Sequence, residues 1–193
     1  DYKKYYHLRK DKILKIGYLG RLTKDKGIEI IPKIAYEINK NYTKQIKFLI
    51  CGPLDKKIGF NKNDNNFEDL KENIQLESPF VEIREKYYSK ISFFKEIDIL
   101  ILPSKREGFG IVCIEAQSAG IPTICSDIDP LRESNSQFYN SFQCKSFQDY
   151  INAIMLLYKK EVYQIFHQNA MKTSEKYREK NFKSTLNYVY FGK

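Results

Sequence analysis

The sequence predicts an α/β fold: an open, doubly wound parallel sheet of about six strands with helices on both faces. Three observations carry this. Short apolar runs alternate with amphipathic stretches, the pattern of parallel strands each followed by a covering helix. The run "IDILILP" (97–103) is apolar enough to be buried on both faces, as a central strand of a parallel sheet is. At 193 residues, with 42% hydrophobic and 15% aromatic side chains, the chain can bury one sizeable core, as one domain or one domain with an appendage.

"ILKIGYL" (13–19) reads as the first strand. The following "GIEIIPKIAYEINKNY" carries Ile28, Ile31, Ala35 and Ile38 at helical spacing, and Pro32 fits where the helix begins near Ile30, because its missing N–H then falls in the first turn. "IKFLICG" (46–52) is the second strand, followed by an Asn-rich loop and a short helix over 67–76. "FVEIREKYY" (80–88) predicts a third strand, "SKISFFKEI" a short helix and "IDILILP" the fourth strand. A helix starting near Phe109 and stopping at Gly120, with Pro122 just beyond, leads to the fifth strand "IPTICS" (121–126). "NSFQCKS" (140–146) supplies a sixth. From Phe147 onward the chain reads as helices: "FQDYINAIMLLYKK", "VYQIFHQNAMKTSEKYREK" and "NFKSTLNYVYF".

Composition narrows the function. No apolar run approaches the ~20 residues needed to cross a bilayer, and "DYKKYYHLRK" lacks the apolar stretch of a secretory signal, so a cytoplasmic location is expected. The opening in polar, basic sequence without an initiator Met suggests a start further upstream. Cys51, Cys113, Cys125 and Cys144 form no C-x-x-C pair and three lie in or beside apolar runs, which predicts reduced core thiols rather than a disulfide or zinc framework. His7 and His167 are far apart in polar contexts, so no histidine-based metal or nucleophile site is expected. The net charge of +9 permits polyanions, membranes or phosphorylated small molecules as partners, but the basic residues are spread along the chain rather than massed.

Two loops leave strands at the carboxyl edge, where ligands of such sheets bind. In "GYLGRLTKDKG" (17–27), Gly20 is expected to let the backbone turn tightly, and Arg21 and Lys26 follow before a helix. A planar guanidinium and a mobile ammonium beside a helix N-terminus suit a diphosphate. G-x-G-x-x-G is absent after every strand, which argues against a nicotinamide dehydrogenase. The second loop, "PSKREGFG" (103–110), opens the helix near Phe109. Amides of Phe109, Gly110 and Ile111 would point along the sheet edge as an anion seat, Gly110 keeping side-chain bulk away. Glu115 is placed to accept hydrogen bonds from vicinal hydroxyls. Taken singly, Glu107 also fits a helix-capping carboxylate and Glu115 a solvated helix residue. Asp127-x-Asp129 in "SDIDP" resembles a metal-binding acidic pair, but a turn rich in Asp and Pro needs no metal, and none is predicted.

The combination GRLxxxKG, then PSxxEGFG and a second Glu before an Ala-Gly-x-Pro stop, resembles the C-terminal, nucleotide-sugar-binding domain of retaining GT-B glycosyltransferases of family four, the group 1 glycosyl transferases. The resemblance runs from about Ile13 to at least Glu133. It implies a Rossmann-like domain, half of a GT-B fold, that binds a UDP-, GDP- or ADP-sugar and needs no metal or other cofactor. Arg21 and Lys26 would hold the diphosphate and stabilise the leaving group, Glu107 would contact the transferred sugar, and Glu115 would take the ribose hydroxyls. Gly20, Phe109, Gly110 and Ile111 would line the donor site.

Two departures qualify it. The family usually has a glycine after the third strand, where the base stacks; here "IREKYYSK" has none, and Tyr87 is the candidate contact. The acceptor-binding N-terminal domain is missing, so the resemblance implies a donor-binding domain over 1–176 and a last helix, 177–193, that would cross to it. The basic surface and aromatic C-terminal helices also fit peripheral work at a membrane on lipid-linked acceptors. A noncatalytic nucleotide-binding module, and a basic nucleic-acid-binding domain using interleaved Tyr and Lys, remain as alternatives.

Overall fold

Six strands form one parallel sheet in the order β3-β2-β1-β4-β5-β6 in a computed structural model that describes residues 13–42, 46–54 and 67–177. β1 (Leu14–Leu19) pairs with β2 (Ile46–Cys51) over its full length, from Leu14 opposite Ile46 to Leu19 opposite Cys51. β3 (Val81–Arg84) lies outside β2, β4 (Ile99–Leu102) pairs with β1 on the other side, and β5 (Thr123–Ser126) and β6 (Ser141–Cys144) complete that half. The chain thus leaves β1 toward one edge and returns at β4 toward the other. The carboxyl ends of β1 and β4 flank the reversal, where loops diverge and a crevice opens.

The helices follow the sequence pattern closely. α1 (Ile30–Asn41) starts where Pro32 required, and buries Ile31, Ile34, Ala35 and Ile38 on one stripe. α2 (Phe67–Glu77) and α3 (Lys90–Glu96) precede β3 and β4; α3 is opened by a reciprocal capping box between Ser89 and Ser92. α4 (Ile111–Ser118), α5 (Asp129–Ser134), α6 (Phe147–Tyr158) and α7 (Lys160–Ser174) follow, and a 3-10 turn, Glu175–Tyr177, ends the described chain. α1 packs on α2 and α6, and α4 on α5 and α7, so both faces of the sheet are covered. All four β4 residues are buried, as a central strand requires.

Several expectations change. β3 ends at Arg84 rather than running to Tyr88: Tyr87 and Tyr88 are exposed and free of the ladder. α4 begins at Ile111, two residues later than expected, because Gly110 takes a left-handed conformation (φ 67°) that a helix cannot contain. α5 replaces the expected Asp-Pro turn, with Pro130 at its start, where a missing N–H costs nothing. The helix read as "VYQIFHQNAMKTSEKYREK" starts at Lys160 and gives way to the 3-10 turn after Ser174. His167 is not in a polar setting; it is 5% exposed, with its Nδ1 2.6 Å from the Gly120 carbonyl oxygen, tying α7 to the end of α4. His7 and the helix expected over 181–191 lie outside the described residues.

All four cysteines are free and buried. Burial pushes the Cys51 thiol up to about 11 and the Cys113 and Cys144 thiols up to about 12, so they are inert apolar packing at neutral pH.

Candidate active site

The loops after β1 and β4 meet. Behind β1, Thr23 hydrogen-bonds the Asp25 carboxylate and a 3-10 turn, Lys24–Lys26, closes on Gly27 (φ 64°). The Asp25 carbonyl accepts the Lys105 amide at 2.8 Å and the Arg106 amide at 3.3 Å. A Cβ on Gly27 would sit 2.0 Å from the Pro103 carbonyl oxygen, so only glycine lets the two backbones approach this closely. Lys26 then reaches across: its Nζ donates to Glu107 Oε1 at 2.8 Å and to the Arg106 carbonyl at 3.1 Å. Ser104, fully buried, donates to the same Glu107 oxygen at 2.9 Å. Glu107 is therefore not a helix cap; Gly110 occupies that position and no side chain caps α4.

The loop after β2 forms the third wall. Leu22 donates its amide to the Pro53 carbonyl at 2.9 Å, and Gly20 to Cys51 at 3.1 Å. Gly20 does not make a tight turn of the left-handed kind; its need for glycine is space, since a Cβ would lie 2.8 Å from the Tyr18 hydroxyl. That hydroxyl, at the cleft floor, donates to the Arg21 carbonyl at 2.7 Å. Burial, reinforced by the nearby Glu107 and Asp25 carboxylates, pushes the phenol far above its usual range, so Tyr18 stays a neutral donor.

These walls enclose a cleft of about 550 Å³, a volume suited to a small-molecule ligand. Every residue singled out in the two loops lines it: Gly20, Arg21, Lys26, Glu107, Phe109, Gly110, Ile111 and Glu115, with Tyr87 at one end. Size alone does not select this cleft, because a second one of about 560 Å³ lies over strand residues Lys15, Lys47, Leu49 and Glu82. There, however, Arg84 is already tied to Glu82 and Glu96 at 2.6 and 2.8 Å, and no helix begins. In the first cleft, α4 presents the unpaired end of its backbone. Cys113 bonds back to the Gly110 carbonyl at 2.8 Å, which leaves Ile111 and Val112, rather than Phe109 and Gly110, as the first-turn amides.

Sequence reasoning missed Lys90, Tyr18, Ser104, Val112 and the Gly52-Pro53 pair. Gly52-Pro53 carried a readable signal, a Gly-Pro step directly behind a strand at the same edge. Lys90 carried none: its Nζ lies 2.6 and 2.9 Å from the two oxygens of Glu115, a contact across the fold. The acidic pair after β5 is taken up internally, since Arg132 donates to both Asp127 and Asp129 at 2.5 Å. Arg132 and Lys145 hold the Asp127 carboxyl below its usual range. Among the described residues no group of three metal-ligating side chains forms.

Comparison with known proteins places the fold and the family. Residues 4–181 match the profile of the family described as Glycosyl transferases group 1. Over 126 residues the chain is 35% identical to the capsular polysaccharide biosynthesis glycosyltransferase CapM of Staphylococcus aureus, covering 65% of this chain and 30% of that protein. It superposes on the C-terminal domain of the group 1 glycosyl transferase LpcC of Francisella tularensis with a TM-score of 0.72 at 20% identity, covering 93% of this chain and 98% of that one. On Anabaena HepE, solved with UDP and glucose, the TM-score is 0.72 at 15% identity, covering 93% and 49%. The chain spans less than a third of CapM and about half of HepE. It belongs to the group 1 glycosyl transferases, with the fold of the C-terminal domain of a GT-B enzyme.

Proposed function

We propose that this chain is the donor-binding half of a glycosyltransferase that moves a sugar from a nucleotide-diphosphate sugar to an acceptor with retention of anomeric configuration. The observation that carries the reading is the convergence of the Arg21–Gly27 loop and the start of α4 on one cleft. Cations, first-turn amides and carboxylates line that one cleft together, the groups a diphosphate flanked by two sugars would use.

Arg21 and Lys26 hold the diphosphate. Lys26 has three donors, of which Glu107 and the Arg106 carbonyl take two, leaving one for phosphate. As the glycosidic bond breaks, negative charge grows on the departing diphosphate, and these two cations meet it in a partly enclosed site without a metal. The α4 dipole adds only ~0.3–1 kcal/mol, against ~1.5–3 kcal/mol for each charge-assisted hydrogen bond, so the side chains dominate. Glu107, positioned by Ser104 and Lys26, contacts hydroxyls of the transferred sugar, Glu115 the ribose, and Tyr87 the base. Retention, in which the acceptor oxygen arrives on the face the diphosphate leaves, rests on the resemblance to retaining GT-B enzymes.

CapM, named for capsular polysaccharide biosynthesis, supports an acceptor in bacterial polysaccharide or lipid-linked glycan synthesis. Such work belongs to a cytoplasmic enzyme in peripheral contact with the membrane; no described helix is long and apolar enough to cross one.

Calorimetry with UDP-, GDP- and ADP-sugars tests the proposal, with EDTA present to test metal independence. Binding below millimolar by one of them is expected. Failure of all three, with RNA or DNA bound on a steep salt slope instead, would overturn it in favour of a nucleic-acid-binding domain.

A further inference from the structure

α4 is tied at both ends by the helix that packs along it. α7 lies beside α4, and just past the end of α4 the His167 ring sets its Nδ1 2.6 Å from the Gly120 carbonyl oxygen. The 3-10 turn Glu175–Tyr177 continues α7 directly and brings Tyr177 to the opposite end, the start of α4. There the Tyr177 ring meets the Phe109 ring edge to face, with centroids 5.8 Å apart and planes at 76°. The Tyr177 hydroxyl donates to the Glu133 carbonyl at 3.0 Å, which fixes the phenol against α5.

The start of α4 needs such an anchor. It follows Gly108-Phe109-Gly110, in which a glycine on each side leaves the backbone without side-chain restriction. A Cβ on Gly108 would meet nothing within 4 Å, so no packing holds that residue from the side, and no side chain caps α4. Gly110 is backed by α5, where a Cβ would lie 2.4 Å from Leu131 Cδ2. Phe109 is the one residue of the three with a side chain, and it both lines the cleft and packs on Tyr177. Fixing that ring fixes the direction in which the first-turn amides of Ile111 and Val112 meet the cleft.

We infer that Tyr177 is a positioning residue for donor binding: its ring holds Phe109, and through Phe109 the turn that opens α4 onto the cleft. Tyr177 is not part of the cleft lining, so its effect on a ligand passes through Phe109. The inference rests on the donor-cleft reading above and adds to it a determinant from the end of α7.

The experiment uses the 193-residue chain and follows the tightest-binding of UDP, GDP and ADP by calorimetry. Tyr177→Ala should raise its dissociation constant about three- to tenfold, the strength of one aromatic pair. Inorganic pyrophosphate should weaken by a similar factor, because the turn faces phosphate. Tyr177→Phe keeps the ring and should stay within about twofold of wild type. In a Phe109→Leu background, which keeps an apolar side chain but removes the partner ring, Tyr177→Ala should add less than about twofold. Tyr177 is only part-buried, so these variants fold, and melting temperatures within a few degrees of wild type check it. An unchanged dissociation constant in Tyr177→Ala would overturn the inference, as would an equal loss with and without the Phe109 ring, the pattern of a purely structural residue. A Tyr177→Phe loss as large as that of Tyr177→Ala would also overturn it, by giving the role to the Glu133 contact. No binding of any nucleoside diphosphate by the wild-type chain would instead sink the donor-cleft reading itself.

Discussion

Each carboxylate of the cleft is held by a lysine, Glu107 by Lys26 and Glu115 by Lys90, so the two acids are oriented acceptors rather than freely rotating groups. Arg21 differs in being exposed at the mouth, on a backbone anchored by the Tyr18 hydroxyl. Arg21→Ala should therefore weaken nucleotide diphosphate binding by about tenfold or more while leaving the melting temperature near wild type. An unchanged dissociation constant would remove Arg21 from the site. Glu115→Ala should cost ribonucleotides more than inorganic pyrophosphate, which has no ribose; equal losses in parallel titrations would contradict the ribose assignment. Arg21 and Lys26 stand between a strand end and a helix start, positions that local pattern marks, whereas Glu107 and Glu115 gained their candidate roles only from the combined family resemblance. Lys90 could not be picked out, because its partner is 25 positions away and only the tertiary fold brings the two side chains together.

The cleft depends on two backbones in contact, and glycines report that dependence. Gly27→Ala forces a Cβ into a left-handed position, ~1–2 kcal/mol by itself, and against the Pro103 carbonyl as well. It should lower the melting temperature and nucleotide affinity together. Gly108→Ala meets nothing within 4 Å, so stability should hold, and any loss of affinity would mark where a ligand approaches. At the start of α6, Asp149 accepts the Ser146 amide at 2.8 Å within a capping box, and these backbone bonds hold its pKa below the usual 3.8. A lowered folded-state pKa stabilises above the unfolded value and is lost as pH falls through the folded one. Urea melts should thus show Asp149→Ala less stable than wild type at pH 7, with the deficit shrinking below about pH 3.8. Strands and long helices were readable from periodicity because burial repeats along them. α5 was not, since Asp-Pro opens a turn and a helix equally well. The start of α4 slipped by two residues because a glycine at φ 67° stops a helix in a way that composition alone does not reveal.

On the proposed reading, a donor-binding domain can hold a donor without moving its sugar efficiently. Transfer needs an acceptor hydroxyl placed against the anomeric carbon and a group to take its proton. In the described cleft both carboxylates, Glu107 and Glu115, are engaged by lysines, and Tyr18, its phenol pushed far up by burial, is no base at neutral pH. The parallel sheet and the carboxyl-edge position of the cleft were implied by the alternation of apolar runs, while the strand order was not. An acceptor wall was not, because no segment of the described residues closes over the mouth where Arg21 and Ile111 are exposed. On the proposed reading, this chain joined to an acceptor-binding domain should bind the donor with a dissociation constant within about tenfold of the 193-residue chain, since the residues proposed to hold the diphosphate all line the described cleft. Its turnover should be at least about a hundredfold higher, because the added domain would position the second reactant. Initial rates with radiolabelled donor and a polyprenyl-linked sugar acceptor, beside calorimetry on both chains, separate the two quantities. Equal turnover would place the acceptor site within these 193 residues, and equal absence of turnover with tight binding in both would favour a nucleotide-binding module that keeps the fold without the reaction.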